Sequence, residues 1–308
     1  YPATNWFDLY FRDAFIQEHN IRISGGNEHI QTGLSIGYLD QEGVVKFTDA
    51  KKVSINFNST VKYGQFKAGI NVSANYRNYN EPHYGISDYM QLAMRALPVM
   101  TPYLADGSYG RSWVVTPGQN AFSNMLACKD GENNYKQTRI VSSAFAEYVF
   151  PYDIKYNVTL GIRKVDLTRR YFQPATYTYN PKTLEPQKMI ANTTAMNTAN
   201  DDINPSISQT INWSHKFNGK HDISALLGMN YEEFNAWSFS ARGQNGYLDN
   251  ELTEVGLATT FLKPSSSSSK VRLLSYFGRL NYDYADRYLF EMNLRYDGSS
   301  RFAKKHRW

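Results

Sequence analysis

Between residues 50 and 80 apolar and polar side chains alternate with few breaks. Val53, Ile55, Phe57, Val61 and Tyr63 share one parity; Lys52, Ser54, Asn56, Asn58, Thr60 and Lys62 share the other. Past Gly64, the residues Phe66, Ala68, Ile70, Val72, Ala74 and Tyr76 alternate with Lys67, Asn71, Ser73, Asn75 and Arg77. Side chains on a strand have period two, so each strand acquires one oily and one wet face. The same alternation predicts ten strands, near 13–24, 28–39, 51–63, 66–79, 137–150, 155–169, 204–217, 221–241, 271–284 and 287–297.

The connections alternate in length. Short turns fall at Gly25-Gly26-Asn27, Gly64-Gln65, Pro151-Tyr152-Asp153, Asn218-Gly219 and Ala285-Asp286; long ones span 40–50, 80–136, 170–203 and 242–270. Asn-Gly is a strong hairpin signal because both residues tolerate positive φ. Outer-membrane barrels segregate short periplasmic turns from long external loops in this way. A soluble sandwich has no reason to do so. The pattern predicts an all-β, transmembrane, antiparallel up-and-down β-barrel. A strand of 13 residues tilted by about 40° rises about 33 Å, more than the apolar band of about 25 Å.

Aromatic residues sit where interfacial girdles belong. Tyr63, Phe66, Tyr148, Phe150, Tyr152, Tyr156, Trp213, Phe217, Tyr282, Tyr284 and Tyr288 lie near short turns, and Tyr38, Tyr76, Tyr171, Tyr231 and Tyr296 nearer the long loops. Alternation assigns Ser208, Thr210, Asn212, Ser214 and Lys216 to a polar lumen, together with Glu291, Asn293, Arg295 and Asp297. A midplane arginine facing lipid costs about 2–4 kcal/mol, so Arg295 faces inward.

Composition fits this picture. Of 308 residues 42% are apolar and 15% aromatic, mean hydropathy is -0.54, and no apolar run is long enough for a transmembrane helix. A barrel hides its membrane signal by alternation. The net charge of +5 is dispersed, which argues against nucleic acid. The single cysteine, Cys128, excludes an internal disulfide. The chain opens at Tyr1 without an initiator Met and closes at Trp308 just past a strand, and is expected to be part of a longer protein.

No nucleophile elbow, phosphate loop or zinc motif is present, and no catalytic residue, cofactor or metal site is expected. His215 and His221 flank the Asn218-Gly219 turn without a third ligand at suitable spacing. The segment 80–136 is the best candidate for ligand or partner contact. Ile86 to Met100 reads as a helix, with Tyr89, Leu92, Ala93, Ala96 and Leu97 at helical spacing and Pro98 ending it. Tyr103, Tyr109 and Trp113 follow, ahead of a Pro117-Gly118 turn; exposed aromatics there suit stacking on sugars or filling a partner's pocket. Ser265 to Ser269 reads as a mobile polar loop tip.

Three stretches resemble a known family. Asn5-Trp6-Phe7-Asp8 and Phe11-Arg12 lead into His19-Asn20-Ile21-Arg22-Ile23-Ser24-Gly25-Gly26-Asn27. Ser35-Ile36-Gly37-Tyr38-Leu39-Asp40-Gln41-Glu42-Gly43-Val44-Val45 follows. The third runs from Leu274-Ser275-Tyr276-Phe277-Gly278-Arg279-Leu280-Asn281-Tyr282 through Asp286-Arg287-Tyr288 to Arg295-Tyr296-Asp297-Gly298-Ser299-Ser300-Arg301-Phe302. Across essentially its whole length the chain resembles the SusC/RagA type of TonB-dependent outer-membrane transporter of Bacteroidetes.

The resemblance implies that residues 1–308 are about ten strands of a plugged barrel of about 22, with 80–136 as a long extracellular loop. The plug domain, the TonB box and the C-terminal strands are absent from this sequence. It further implies TonB-dependent nutrient uptake of glycans or oligopeptides, with a SusD-like lipoprotein over the mouth and energy from TonB-ExbB-ExbD. A passive outer-membrane porin, or a soluble or surface β-rich adhesin, is the alternative.

Overall fold

The computed structural model describes residues 3–110, 124–190 and 192–308. Ten strands form one antiparallel sheet in which neighbours in space are consecutive in the chain except where a small hairpin intervenes. These are β1 (Ile16–Gly26), β2 (Ile30–Glu42), β3 (Asp49–Tyr63), β4 (Phe66–Asn80), β5 (Glu132–Val149), β6 (Ile154–Gln173), β9 (Thr194–Phe217), β10 (His221–Gln244), β11 (Thr260–Tyr284) and β12 (Tyr288–Ser299). β7 (Thr176–Tyr179) and β8 (Pro186–Ile190) pair with each other between β6 and β9. β1 and β12 are the two edges and do not meet.

The short turns use the chemistry foreseen for them. Asn218 and Gly219 adopt φ of 48° and 66°, and Ala285 and Asp286 adopt 55° and 57° without any glycine. At the latter, the Asp286 amide donates to Asp283 Oδ1 at 2.9 Å. The Asn27 side chain caps the first turn by accepting from the amides of His29 and Ile30, both at 2.8 Å.

Register carries one apolar face across the sheet. Ile21 lies opposite Ile36, Ile36 opposite Ile55, Ile55 opposite Ala74 and Ala74 opposite Ile140. Lower on the same face Tyr63, Phe66, Tyr148 and Tyr156 stand in line across β3 to β6, which is the girdle expected beside the short turns. On this face Ile21, Leu160, Leu227 and Leu294 remain exposed. Exposed large aliphatics in register across a whole sheet need an apolar medium rather than water.

The apolar face ends abruptly on the long-loop side. Beyond Tyr38 and Val53 stand Asp40 and Lys51, paired at 3.4 Å. Beyond Ile162 and Ile203 stand Lys164, Asp166 and Asp201, with Lys164 Nζ 3.4 Å and 3.7 Å from the two carboxylates. Beyond Tyr231 and Leu274 stands Glu233, held by Lys270 at 2.6 Å and Arg272 at 2.7 Å. Charges of either sign avoid hydrocarbon, so this line of ion pairs marks the outer level of the membrane.

Four expectations need correction. Ser265 to Ser269 is no mobile tip: it belongs to β11, with Ser265, Ser267 and Ser269 opposite Ser240, Ser238 and Ala236 of β10. The ladder of β10 continues upward and offers these serines backbone partners, which outweighs their poor strand propensity. The expected loops 170–203 and 242–270 are accordingly shorter, and the first contains the β7–β8 hairpin. The helix expected over Ile86 to Met100 is α2, Ile86–Arg95, and stops before Leu97 because the backbone there is used elsewhere. Leu97 O accepts from Trp6 Nε1 at 2.9 Å, and Pro98 O accepts from the Thr4 amide at 2.8 Å. Tyr171 is not in the outer girdle. It shares a face with Arg169, opposite to Arg170 and Phe172, and Arg169 stacks on it.

Candidate functional site

The strands place two groups of side chains at the long-loop end, one in the loops and one on the polar face of the wall. The loop group is built around α1 (Trp6–Tyr10), a five-residue helix capped by Asn5, whose Oδ1 accepts from the Phe7 amide at 3.2 Å. Trp6 and Tyr10 are buried against Tyr89, Ala93, Met100 and Leu126, with Val45, Phe47, Tyr84 and Tyr109 at the margin. Tyr10 stacks on Trp6 at 5.4 Å and meets Tyr89 edge-on at 5.1 Å. Backbone bonds from Arg12 to Val44 O and from Lys46 to Tyr10 O tie this helix to the β2–β3 loop. The loop end is thus a small packed core, not a set of independent loops.

Tyr103 and Tyr109 are brought together, bridged through their backbones with rings 5.8 Å apart. The loop between them is pinned by buried Asn124, whose amide donates to Pro102 O at 2.7 Å and Gly110 O at 3.2 Å. Tyr109 donates its hydroxyl to Asp130 Oδ2 at 2.7 Å, and Lys129 lies 5.6 Å from its ring. Tyr103 is 40% exposed and is the freer face of the pair. Burial, and then the charge of Asp130, push the Tyr103 phenol above its ordinary ionisation range. The Ser108 hydroxyl and amide hold Asp106 below the usual carboxylate range at the loop tip. Trp113 and the Pro117-Gly118 turn lie outside the described residues.

Sequence reasoning missed the second group. On the polar face, at the long-loop end of β4, β5 and β6, cations and tyrosines interleave. Arg77 sits 4.3 Å over Tyr79, Tyr79 stacks flat on Tyr135 at 4.7 Å, and Arg169 lies 5.1 Å from Tyr135 and 4.9 Å from Tyr171. Arg169 Nε also donates to buried Asn133 at 2.8 Å. Stacking fixes these long side chains and leaves guanidinium edges to solvent. Nearer the short turns the same face carries smaller polar contacts: the Ser73 hydroxyl donates to Asn56 Oδ1 at 2.8 Å, and Arg279 Nε donates to Asn293 Oδ1 at 2.9 Å. Phe145 and Phe277 reach over Gly69 and Gly228, where a Cβ would come within 2.5 Å and 2.2 Å of the rings. Elsewhere His215 meets Asp153 at 3.2 Å and His221 meets the Tyr282 hydroxyl at 2.9 Å.

One face that only lipid can satisfy, an opposite polar face, and loops segregated by length define the wall of a transmembrane β-barrel. No family model matches the chain. It is 24% identical over 327 residues to the TonB-dependent receptor SusC of Bacteroides thetaiotaomicron, covering 99% of this chain and 31% of that protein. It is 26% and 27% identical to two TonB-dependent receptors of Formosa agariphila, covering all of this chain and 30% of each. In structure it matches the RagAB peptide transporter with a TM-score of 0.80 at 20% identity, over 99% of this chain and 34% of that one. The ferric preacinetobactin receptor of Acinetobacter baumannii follows with a TM-score of 0.52 at 10% identity, over 94% of this chain and 41% of that one. The relatives are receptors and transporters, not enzymes. Over its whole length the chain is similar to a barrel segment of TonB-dependent receptors of the SusC and RagA type, and it spans about a third of the length of the curated relatives it matches.

Proposed function

We propose that this chain forms part of the wall and mouth of an outer-membrane, TonB-dependent nutrient importer. Residues 1–308 supply ten strands of the barrel, and the rest of the barrel, a plug and a TonB box belong to the remainder of the protein. Cargo is a glycan or an oligopeptide, captured with a SusD-like lipoprotein over the mouth; energy arrives through TonB-ExbB-ExbD acting on the plug. The observation that carries this reading is the open ladder. β1 and β12 are unpaired edges, and an unpaired edge cannot persist in hydrocarbon. Ten strands that leave both edges open suit a large gated barrel better than a small closed one.

The loop core around Trp6 and Tyr89 gives a lid lipoprotein a formed surface to rest on. Tyr103, Tyr109 and Trp113, on the loop 80–136, are the candidate contacts for lid or cargo. The chemistry asked of the wall is passage, not bond-breaking. The test is uptake of labelled oligosaccharides and oligopeptides by cells carrying the full-length parent, with and without TonB. Uptake that disappears with TonB is the expected result. Uptake that persists unchanged assigns the barrel to passive diffusion and removes energy coupling from the account.

A further inference from the structure

We propose that the lumenal wall carries an anion-recognising strip at its mouth, formed by Lys52, Arg77, Arg139 and Arg163, which takes the acidic groups of an anionic oligosaccharide. The proposal rests on the importer reading above and narrows its cargo.

The four residues lie on the same polar face across four successive strands. Lys52 of β3 is directly opposite Arg77 of β4. Arg139 of β5 is opposite Asn75, one diagonal step from Arg77. Arg163 of β6 is one diagonal step from Arg139, whose direct partner is Val165. Direct cross-strand neighbours lie about 5 Å apart and diagonal ones about 7–8 Å.

Like charges placed directly opposite destabilise a sheet; where Lys62 and Lys67 face each other lower on the wall, Glu147 stands opposite Lys67 on the next strand. Glu147 meets Lys155 at 3.7 Å, and Arg295 meets Asp297 at 2.8 Å on the same polar face. No such carboxylate reaches the strip: among the described residues none of the four cations makes an ion pair. Asp202, opposite Val165, makes none either. Other cations of this face also lack an ion pair, but these four stand on neighbouring strands one step apart, and such a row concentrates positive potential where an anion can rest.

The strip also has a receiving shape. A groove of about 390 Å³ is lined by Lys52, Arg77 and Arg139 together with the amides of Asn75 and Gln137. Arg77 is held by its stack on Tyr79, so little freedom is lost when its planar fork meets a carboxylate or sulfate. The amides between the cations offer both donors and acceptors, which is what hydroxyls require. The groove's apolar lining is limited to Leu39, Ala50 and side-chain stems. An acidic peptide would ask in addition for pockets for its apolar side chains, so an acidic oligosaccharide fits better.

The test uses the full-length parent in detergent and in cells. Calorimetry measures binding of oligogalacturonate, a sulfated galactan oligomer, a neutral galactan oligomer and poly-glutamate of similar length. The wild type is expected to bind one or both acidic oligosaccharides, more weakly as salt rises, with their ratio naming the acid. Replacing Arg77→Gln, Arg139→Gln and Lys52→Gln together is expected to weaken that binding by about tenfold per cation removed, leaving the neutral oligomer unaffected. The variant with Arg77→Lys and Arg139→Lys keeps the charge and is expected to lose less, which separates recognition from misfolding. Equal affinity of wild type and glutamine variant for the acidic oligomers overturns the proposal, as does a wild type that prefers poly-glutamate or the neutral oligomer. Uptake separates the two readings: import of neutral oligomers only, under TonB, leaves the importer standing and removes the strip. Absence of TonB-dependent import removes the importer, while the calorimetry still decides the strip.

Discussion

Ile70→Arg tests which face of the sheet meets lipid. Ile70 is on β4, opposite Ser59 and Ala144, and is 40% exposed on the apolar face. It lies four residues above Phe66 at the lower girdle and six below Tyr76 at the upper one. At about 3.3 Å per residue and a tilt of about 40°, that places it about 10 Å above the lower girdle, close to the middle of an apolar band about 25 Å tall. An arginine there should cost about 2–4 kcal/mol, a factor of about 30 to 1,000 in the folding equilibrium. The control is the next residue. Asn71 is opposite Asn58 and Ser143 on the polar face, and Asn71→Arg adds the same charge at almost the same height, with an expected cost under about 0.5 kcal/mol. The assay is denaturant unfolding of the full-length parent folded into lipid vesicles, read by the shift in midpoint at constant slope. If Asn71→Arg costs as much as Ile70→Arg, or more, the faces have been assigned the wrong way round. Strand register has period two, so such an error would invert every other assignment on β4 as well.

Gly228→Val should destabilise by about 1–3 kcal/mol, because a Cβ there meets the Phe277 ring at 2.2 Å. Adding Phe277→Ala should recover part of the loss, and a double-mutant cycle with no coupling would rule out the contact. Alternate amides of Ser265–Ser269 should resist hydrogen exchange while those of 246–253 exchange quickly; uniform fast exchange would return the serines to a loop. Trp6→Ala should open the loop core to protease, with about 3–5 kcal/mol lost locally and the barrel itself intact. The sign for Tyr103 is set by its raised ionisation: the folded loop favours the neutral phenol, so its contribution is full below pH 10 and is lost as pH rises through the higher folded value. Ultraviolet titration should show the late-ionising tyrosines reduced by one in Tyr103→Phe, and an unchanged late fraction would refute the assignment.

The wall was legible in the sequence because its information is local. Alternation and tight turns identified all ten strands of the main sheet, and counting outward from Pro151-Tyr152-Asp153 puts Arg169 opposite Tyr135 without a structure. What local pattern does not carry is pairing across a long connection. Tyr79 meets Tyr135 over the whole segment 81–131, and no count from a turn gives that register. The Arg–Tyr ladder was therefore invisible, although its members are ordinary strand residues. The serine strand failed for the opposite reason, since its composition is that of a linker and only the ladder offered by β10 makes it a strand. The β7–β8 hairpin had a usable signal in Thr176-Tyr177-Thr178-Tyr179, a run of good strand formers. α1 is too short for periodicity, and only the Asn5 cap announced it.

The strands do not end at one height, and this shapes the mouth. On one side β2 stops at Glu42, four residues beyond Tyr38 at the membrane boundary. On the other β10 reaches Gln244, 13 residues beyond Tyr231. At about 3.3 Å per residue and a tilt of about 40°, those extensions rise about 10 Å and about 33 Å. The rim therefore slopes upward from β2 to β11. Both helices lie on the low side, with α1 preceding β1 and α2 following β4, and their buried aromatic core joins the loops that a short rim leaves without strand support. The tall side needs no such core, because β9, β10 and β11 satisfy one another by backbone pairing over 20 residues and more. The Arg–Tyr ladder and the cation strip sit on β3 to β6, where the slope passes from low to high. In the importer proposed above, a solute entering over the low side would meet a formed loop surface first and charged wall next, so any selectivity this segment exerts would act before the solute reaches the amide-lined lumen below.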